Sequence, residues 1–149
     1  MPTRPTVGSK ELRQRSDNGP KDFITGNTNI LMTIDTPNGL DLEMFQEMQE
    51  LMEEEFPLLL ETYLDDTPLL LEQIDNANSA ADAASLAAAA HQLKSTSASL
   101  GCSLLETLAE ELEAIGNSAD GLEDSEAPAL YEKAQTNYNE MKPFLAQHL

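Results

Sequence analysis

From Leu40 to the carboxyl end the apolar residues recur at helical spacing, and no stretch alternates with the period of two that a half-buried strand requires. That feature confines the chain to helix packed on helix. Leu40, Phe45, Met48, Leu51 and Met52 mark a short leading helix, with Asp41 and Glu43 placing negative charge where a helix begins. A second helix runs from near Glu54 to Asn76, with Phe56, Leu59, Leu60, Tyr63, Leu64, Leu71 and Ile74 as its core positions. Pro68 lies inside it. An interior proline removes a hydrogen bond and crowds the preceding turn, which predicts a kink in preference to a break with Thr67 as a new cap. Asn78 to Ala81 form the next connection, Asp82 or Ser79 caps a third helix reaching Leu100, and Gly101 is its left-handed terminator. Ser103 to Ile115 make a fourth helix, closed by Gly116 and Asn117. A long acidic loop, GNSADGLEDSEAP, leads to a fifth with Pro128 in its first turn and its end near Leu145. The economical architecture is all-α: an antiparallel four-helix bundle with a short leading helix and a flexible N-terminal arm.

The arm is expected over residues 1 to 38, where Pro, Gly, Ser, Asn and Thr mix with scattered charge and too little apolar surface is present to repay ordering. Its apolar piece ILMTI, residues 30 to 34, either docks on the body or pairs as a strand. Residues 39 to 149 make one domain, and a chain of 149 residues suits one domain plus an appendage. The net charge of −19 is uneven: residues 1 to 39 hold five basic and four acidic side chains, whereas residues 40 to 149 hold three and 23, a net of −20. Such a field repels phosphate backbones and anionic headgroups, so neither nucleic acid nor a membrane surface is an expected partner, and proteins are. No apolar run is long enough to cross a bilayer, and the amino end has no secretory hydrophobic stretch, which makes a cytoplasmic protein the default. Cys102 is the one cysteine; it fits a reducing compartment and reads as a small apolar residue, since nothing nearby would lower its pKa. Met1 and the arm point to a free-standing chain rather than a module of a larger kinase.

The stretch AAAAHQLKSTSASLG, residues 87 to 101, holds the chemistry. Leu86, Ala90, Leu93, Ser97 and Leu100 fall along one stripe that faces the core. His91 is turned away from it. Its surface neighbours are Ala87, Ala88, Lys94 and Ser95, with Gln92 beside it and Ala84 and Ala98 a turn further. Apart from the lysine and Gln92 these are small, so a second protein can approach the imidazole without displacing bulky groups: a docking surface. Lys94 is the only Lys or Arg between Asp22 and Glu132, and it stands a turn from His91. His148, one residue from the end, reads as a frayed surface side chain.

His91-Gln92-Leu93-Lys94-Ser95, followed by small residues and Gly101, resembles the H-x-L-K-G/S-x-x-x-x-x-G signature of histidine-containing phosphotransfer (HPt) domains. The likeness extends to LLLETYLDDTPLLLEQI in the second helix and LLETLAEELEAIG in the fourth, so it covers roughly residues 40 to 145. It implies that His91 is the phosphorylated residue, that Lys94 stabilises the phosphoryl group, and that Ser95, where many members have Gly, keeps the ring accessible. It further implies a phosphorelay protein that carries a phosphoryl group between receiver-domain aspartates of a hybrid sensor kinase and a response regulator. Such a chain is a carrier rather than an autonomous enzyme, is expected to be a monomer, and binds no cofactor, the Mg²⁺ being expected in the partner receiver domain.

The chemistry agrees with the resemblance. An imidazole with its ordinary pKa of ~6.5 is mostly neutral at pH 7 and nucleophilic. The transferring group passes through a loose transition state whose charge needs cations, and the chain offers only Lys94 beside the ring. No Gly-rich nucleotide loop is present. The competing expectation is a non-catalytic acidic helical adaptor, in which His91 is incidental. A metal site at His91 lacks a second His, Cys, Asp or Glu three or four positions away on its helix, so none is expected.

Overall fold

A computed structural model describes residues 35 to 118, 120 to 122 and 124 to 149. The expected arm lies outside the described residues as far as residue 34, and ILMTI with it. Five α-helices follow: α1, Leu42–Met52; α2, Phe56–Ala80; α3, Ala83–Ser99; α4, Ser103–Gly116; and α5, Ala127–Ala146, with a 3₁₀ turn at Glu53–Glu55. No strand occurs among the described residues.

Helices α2, α3, α4 and α5 form a closed ring, each packed on the next and α5 packed on α2. Only Ala81 and Asp82 link α2 to α3, and Leu100–Cys102 link α3 to α4. Links this short force neighbouring helices to run antiparallel. The sequence-based expectation of an all-α bundle therefore holds. Helix α1 packs across one end: Phe45 is buried with its ring edge-on to Phe56, at 5.3 Å, and to Phe144, at 5.5 Å. Asp41 caps α1, accepting from the Met44 N–H at 3.2 Å, and its own N–H donates to Gly101 O at 2.7 Å. Gly39 O accepts from Leu104 N and Asn38 O from Asn137 Nδ2, so the segment before α1 is stitched to α4 and α5.

Pro68 neither breaks nor interrupts α2, which runs continuously past it. The missing proline N–H leaves the Leu64 carbonyl without its helical donor, and the Tyr138 hydroxyl of α5 donates to that oxygen at 3.2 Å. The helix also runs four residues beyond the expected Asn76, because buried Ala77 anchors its last turn and the first left-handed residue is Ala81, at φ 54°. The connection is thus Ala81–Asp82 rather than Asn78 to Ala81.

Two further expectations are corrected. Leu51 is 75% exposed rather than in the core. At about 100° per residue it lies roughly 120° around α1 from Phe45, whereas Met48 and Met52 stay within about 60°. His148 is half-buried rather than frayed: its ring packs at 5.1 Å from Phe45 and 4.8 Å from Phe144, and its Nδ1–H donates to Phe144 O at 2.9 Å. The turn that follows α5 thereby packs on α1.

Candidate functional site

Helix α3 begins at Asp82, whose carboxylate accepts from the Ser85 N–H at 3.1 Å and the Ser85 hydroxyl at 2.7 Å. Those two bonds, the hydroxyl first, hold the Asp82 carboxyl below its ordinary value. The helix buries Leu86, Ala89, Ala90, Leu93 and Ser97. Ser97 is tied to the Tyr63 hydroxyl of α2 at 2.8 Å, inside the core. With that face fixed by α2 and α4, His91 must project outward, and its side chain is 62% exposed.

The opposite wall of the site comes from α4. Gly116 lets the two backbones meet: a Cβ there would lie 2.7 Å from Ala87 N and 2.8 Å from Ala83 O. One turn earlier on α4, Glu113 reaches across to α3 and engages two residues at once. Its Oε2 accepts from His91 Nδ1 at 2.8 Å, and its Oε1 pairs with Lys94 Nζ at 2.7 Å. A carboxylate only accepts, so Nδ1 is the ring nitrogen that bears hydrogen, and the neutral ring carries its lone pair on Nε2. Lys94, first, and His91, second, hold the Glu113 carboxyl below its ordinary value. Glu113 in turn raises the Lys94 ammonium, with Glu110 and Glu106 adding to the effect from the same helix.

The structure brings His91 and Lys94 together through a residue that the sequence did not single out. Ala84, Ala88, Gln92 and Ser95 are exposed on α3 around the imidazole. Ala87 and Ala98 are half-buried, Ala87 because it is covered by the close approach of Gly116. The expected docking surface is therefore narrower on the α4 side than the sequence suggests. On the α2 side a shallow groove is lined by Gln73, Asn76, Ala88 and Gln92. Gly101 has φ 76°, and a Cβ there would also lie 2.8 Å from Asp41 O, so it serves both the end of α3 and the seating of α1.

Glu113 and Gly116 are the residues missed. Both lie 19 or more positions from their α3 partners, and Glu113 is one acid among many. The signal available was geometric: in an antiparallel hairpin turning at Gly101 and Cys102, the residue level with His91 falls close to Glu113.

Arranged in this way, the ring can attack an electrophile through Nε2 while a carboxylate holds its other nitrogen and a cation stands beside both. Among curated proteins none matches the chain significantly. The family model described as Hpt domain matches residues 58–141. Among solved structures, histidine-containing phosphotransfer protein B from Pseudomonas aeruginosa PAO1 is similar, with 32% identity and a TM-score of 0.69 over 74% of this chain and 94% of that one. A four-helix ring, an exposed imidazole on it, the family model across all four of its helices and this structural likeness lead to one conclusion: the chain belongs to the Hpt domain family and is a histidine phosphotransfer protein of a phosphorelay.

Proposed function

We propose that His91 carries the phosphoryl group, and that it exchanges this group with the aspartates of receiver domains in a hybrid histidine kinase and a response regulator. In the loading step the Nε2 lone pair forms a bond to phosphorus while the bond from phosphorus to the aspartyl oxygen breaks, its electron pair returning to the receiver carboxylate. The ring keeps its Nδ1 hydrogen and becomes cationic, and Glu113 faces that developing charge. Unloading is the reverse. Lys94 is the cation this chain contributes to the phosphoryl oxygens; the Mg²⁺ that neutralises them further is supplied by the receiver, so the rate depends on the partner.

Ala84, Ala88, Gln92 and Ser95 form the surface on which the receiver seats, with the half-buried Ala87 and Ala98 as its floor. A cytoplasmic location is proposed from the partners and from the free, buried Cys102; among the described residues no helix is long and apolar enough to cross a membrane. The observation that carries this function is the exposed imidazole of His91 with its Nδ1 held by Glu113 and Lys94 a turn away. An acidic adaptor would need none of these groups. His91→Gln is expected to abolish an acid-labile, base-stable label acquired from a phosphorylated receiver, and His148→Gln to retain it. Equal labelling of the His91 variant would refute the proposal.

A further inference from the structure

We infer that Lys94 changes partner in every transfer: it leaves Glu113 for the oxygens of the arriving phosphoryl group, and the released Glu113 carboxylate then retains the proton on His91 Nδ1. This rests on His91 being the phosphorylated residue. In the unphosphorylated chain both oxygens of one carboxylate are engaged, Oε2 by His91 Nδ1 and Oε1 by Lys94 Nζ. Among the described residues, the one cation beside the ring is therefore already engaged by Glu113. Its stem is long and its side chain is 29% exposed, so its ammonium can swing without unpacking α3.

Loading changes the charges on both sides of the ring. A phosphoryl dianion appears on Nε2, and the ring that retains its Nδ1 hydrogen becomes a cation. With Lys94 still on Glu113 the carboxylate would be shared between two cations while the phosphoryl oxygens had none from this chain. With Lys94 moved, each negative group has one positive neighbour: the phosphoryl oxygens have Lys94, and Glu113 has the ring. Two further carboxylates of α4, Glu110 and Glu106, pull Lys94 the other way, from the same side as Glu113, and the phosphoryl dianion must outweigh them. On the α2 side Gln73, Asn76 and Gln92 are uncharged, and Asp82 stands at the far end of the groove at the N-cap of α3.

The proton on Nδ1 decides whether the group can be passed on. When the Nε2–P bond breaks, its electron pair returns to Nε2 while a receiver carboxylate oxygen bonds to phosphorus. If Nδ1 bears hydrogen, the departing ring is neutral imidazole; if it has lost it, the departing ring is an imidazolate anion, a far poorer leaving group. Glu113 is thus a positioning residue that keeps the loaded ring competent as pH rises, and Lys94 governs when its full charge is available.

Phosphorus NMR of the loaded protein reads the Nδ1 proton directly, through the pH titration of the phosphohistidine resonance. Glu113→Gln is expected to lower the midpoint by about one pH unit or more. The effects of Lys94→Ala and Glu113→Gln on that midpoint are expected to add in the double variant, because the two side chains no longer touch in the loaded state. In the unloaded protein their effects on the His91 ring titration, read by nitrogen NMR, are expected to be non-additive. An unchanged midpoint in Glu113→Gln, or non-additive effects in the loaded protein, would overturn the exchange while leaving His91 as the carrier. A phosphohistidine resonance that is absent, or that survives in His91→Gln, would overturn both.

Discussion

Gly116 of α4 faces Ala87 of α3 so closely that a Cβ at position 116 would lie 2.7 Å from the Ala87 amide nitrogen and 2.9 Å from its Cβ. Backbone and a short side chain cannot yield as the end of a long side chain would. Gly116→Ala is therefore expected to push the two helices apart, at a cost of about 1–3 kcal/mol in urea unfolding. Glu113 moves with α4, so the variant should also transfer phosphoryl more slowly. Wild-type stability and rate together would show that the close approach does not set the site.

Leu93 and His91 lie two positions apart on α3 but face opposite ways: Leu93 is fully buried and the His91 side chain is 62% exposed. Leu93→Ala should cost about 2–5 kcal/mol. His91→Ala should shift the unfolding midpoint little. The reverse order would mean that the helix is rotated differently.

Cys102 is fully buried at the start of α4, and that burial pushes its thiol up to about 11. A raised thiol stays protonated until the pH approaches that value, and the thiolate is the reactive form. At pH 8 the folded protein should therefore react with a disulfide reagent only as fast as it unfolds, whereas in denaturant labelling should be immediate. Rapid labelling of the native chain would contradict the packing around α4.

Much of α3 was legible in the sequence. Leu86, Ala90, Leu93, Ser97 and Leu100 share one stripe at helical spacing, and all five are buried, because a helix period in the residues is a helix face in space. Ala89, also buried, carried no signal of its own, since alanine is at home on either face. Legibility ended where partners are distant in sequence. Nothing local announces that Tyr138 satisfies the carbonyl freed by Pro68, that His148 packs on Phe45, or that Glu113 bridges His91 and Lys94. Leu51 is apolar yet exposed, because α1 packs through one narrow stripe centred on Phe45.

Lys94 is the cation paired with Glu113, and its removal separates docking from chemistry. Lys94→Ala should slow transfer roughly ten- to a hundredfold if its contact with the phosphoryl group is made mainly in the transition state. Receiver affinity measured without phosphate should fall much less, because the proposed docking surface consists of the small residues around Ala84 and Ala88. Lys94→Arg should retain part of the rate, the charge surviving in a planar fork. A wild-type rate in Lys94→Ala would remove the lysine from the chemistry.

The central claim is that the phosphoryl group resides on one imidazole, and tandem mass spectrometry at alkaline pH locates it most directly. The chain is loaded from a phosphorylated receiver, cleaved, and fragmented by a method that preserves the N–P bond. The account predicts a single phosphoryl mass on His91, within the peptide spanning Ala90 to Leu93, and none on His148. A phosphoryl group found on any other residue, or a chain that remains unmodified beside a receiver that has kept its own, would contradict it.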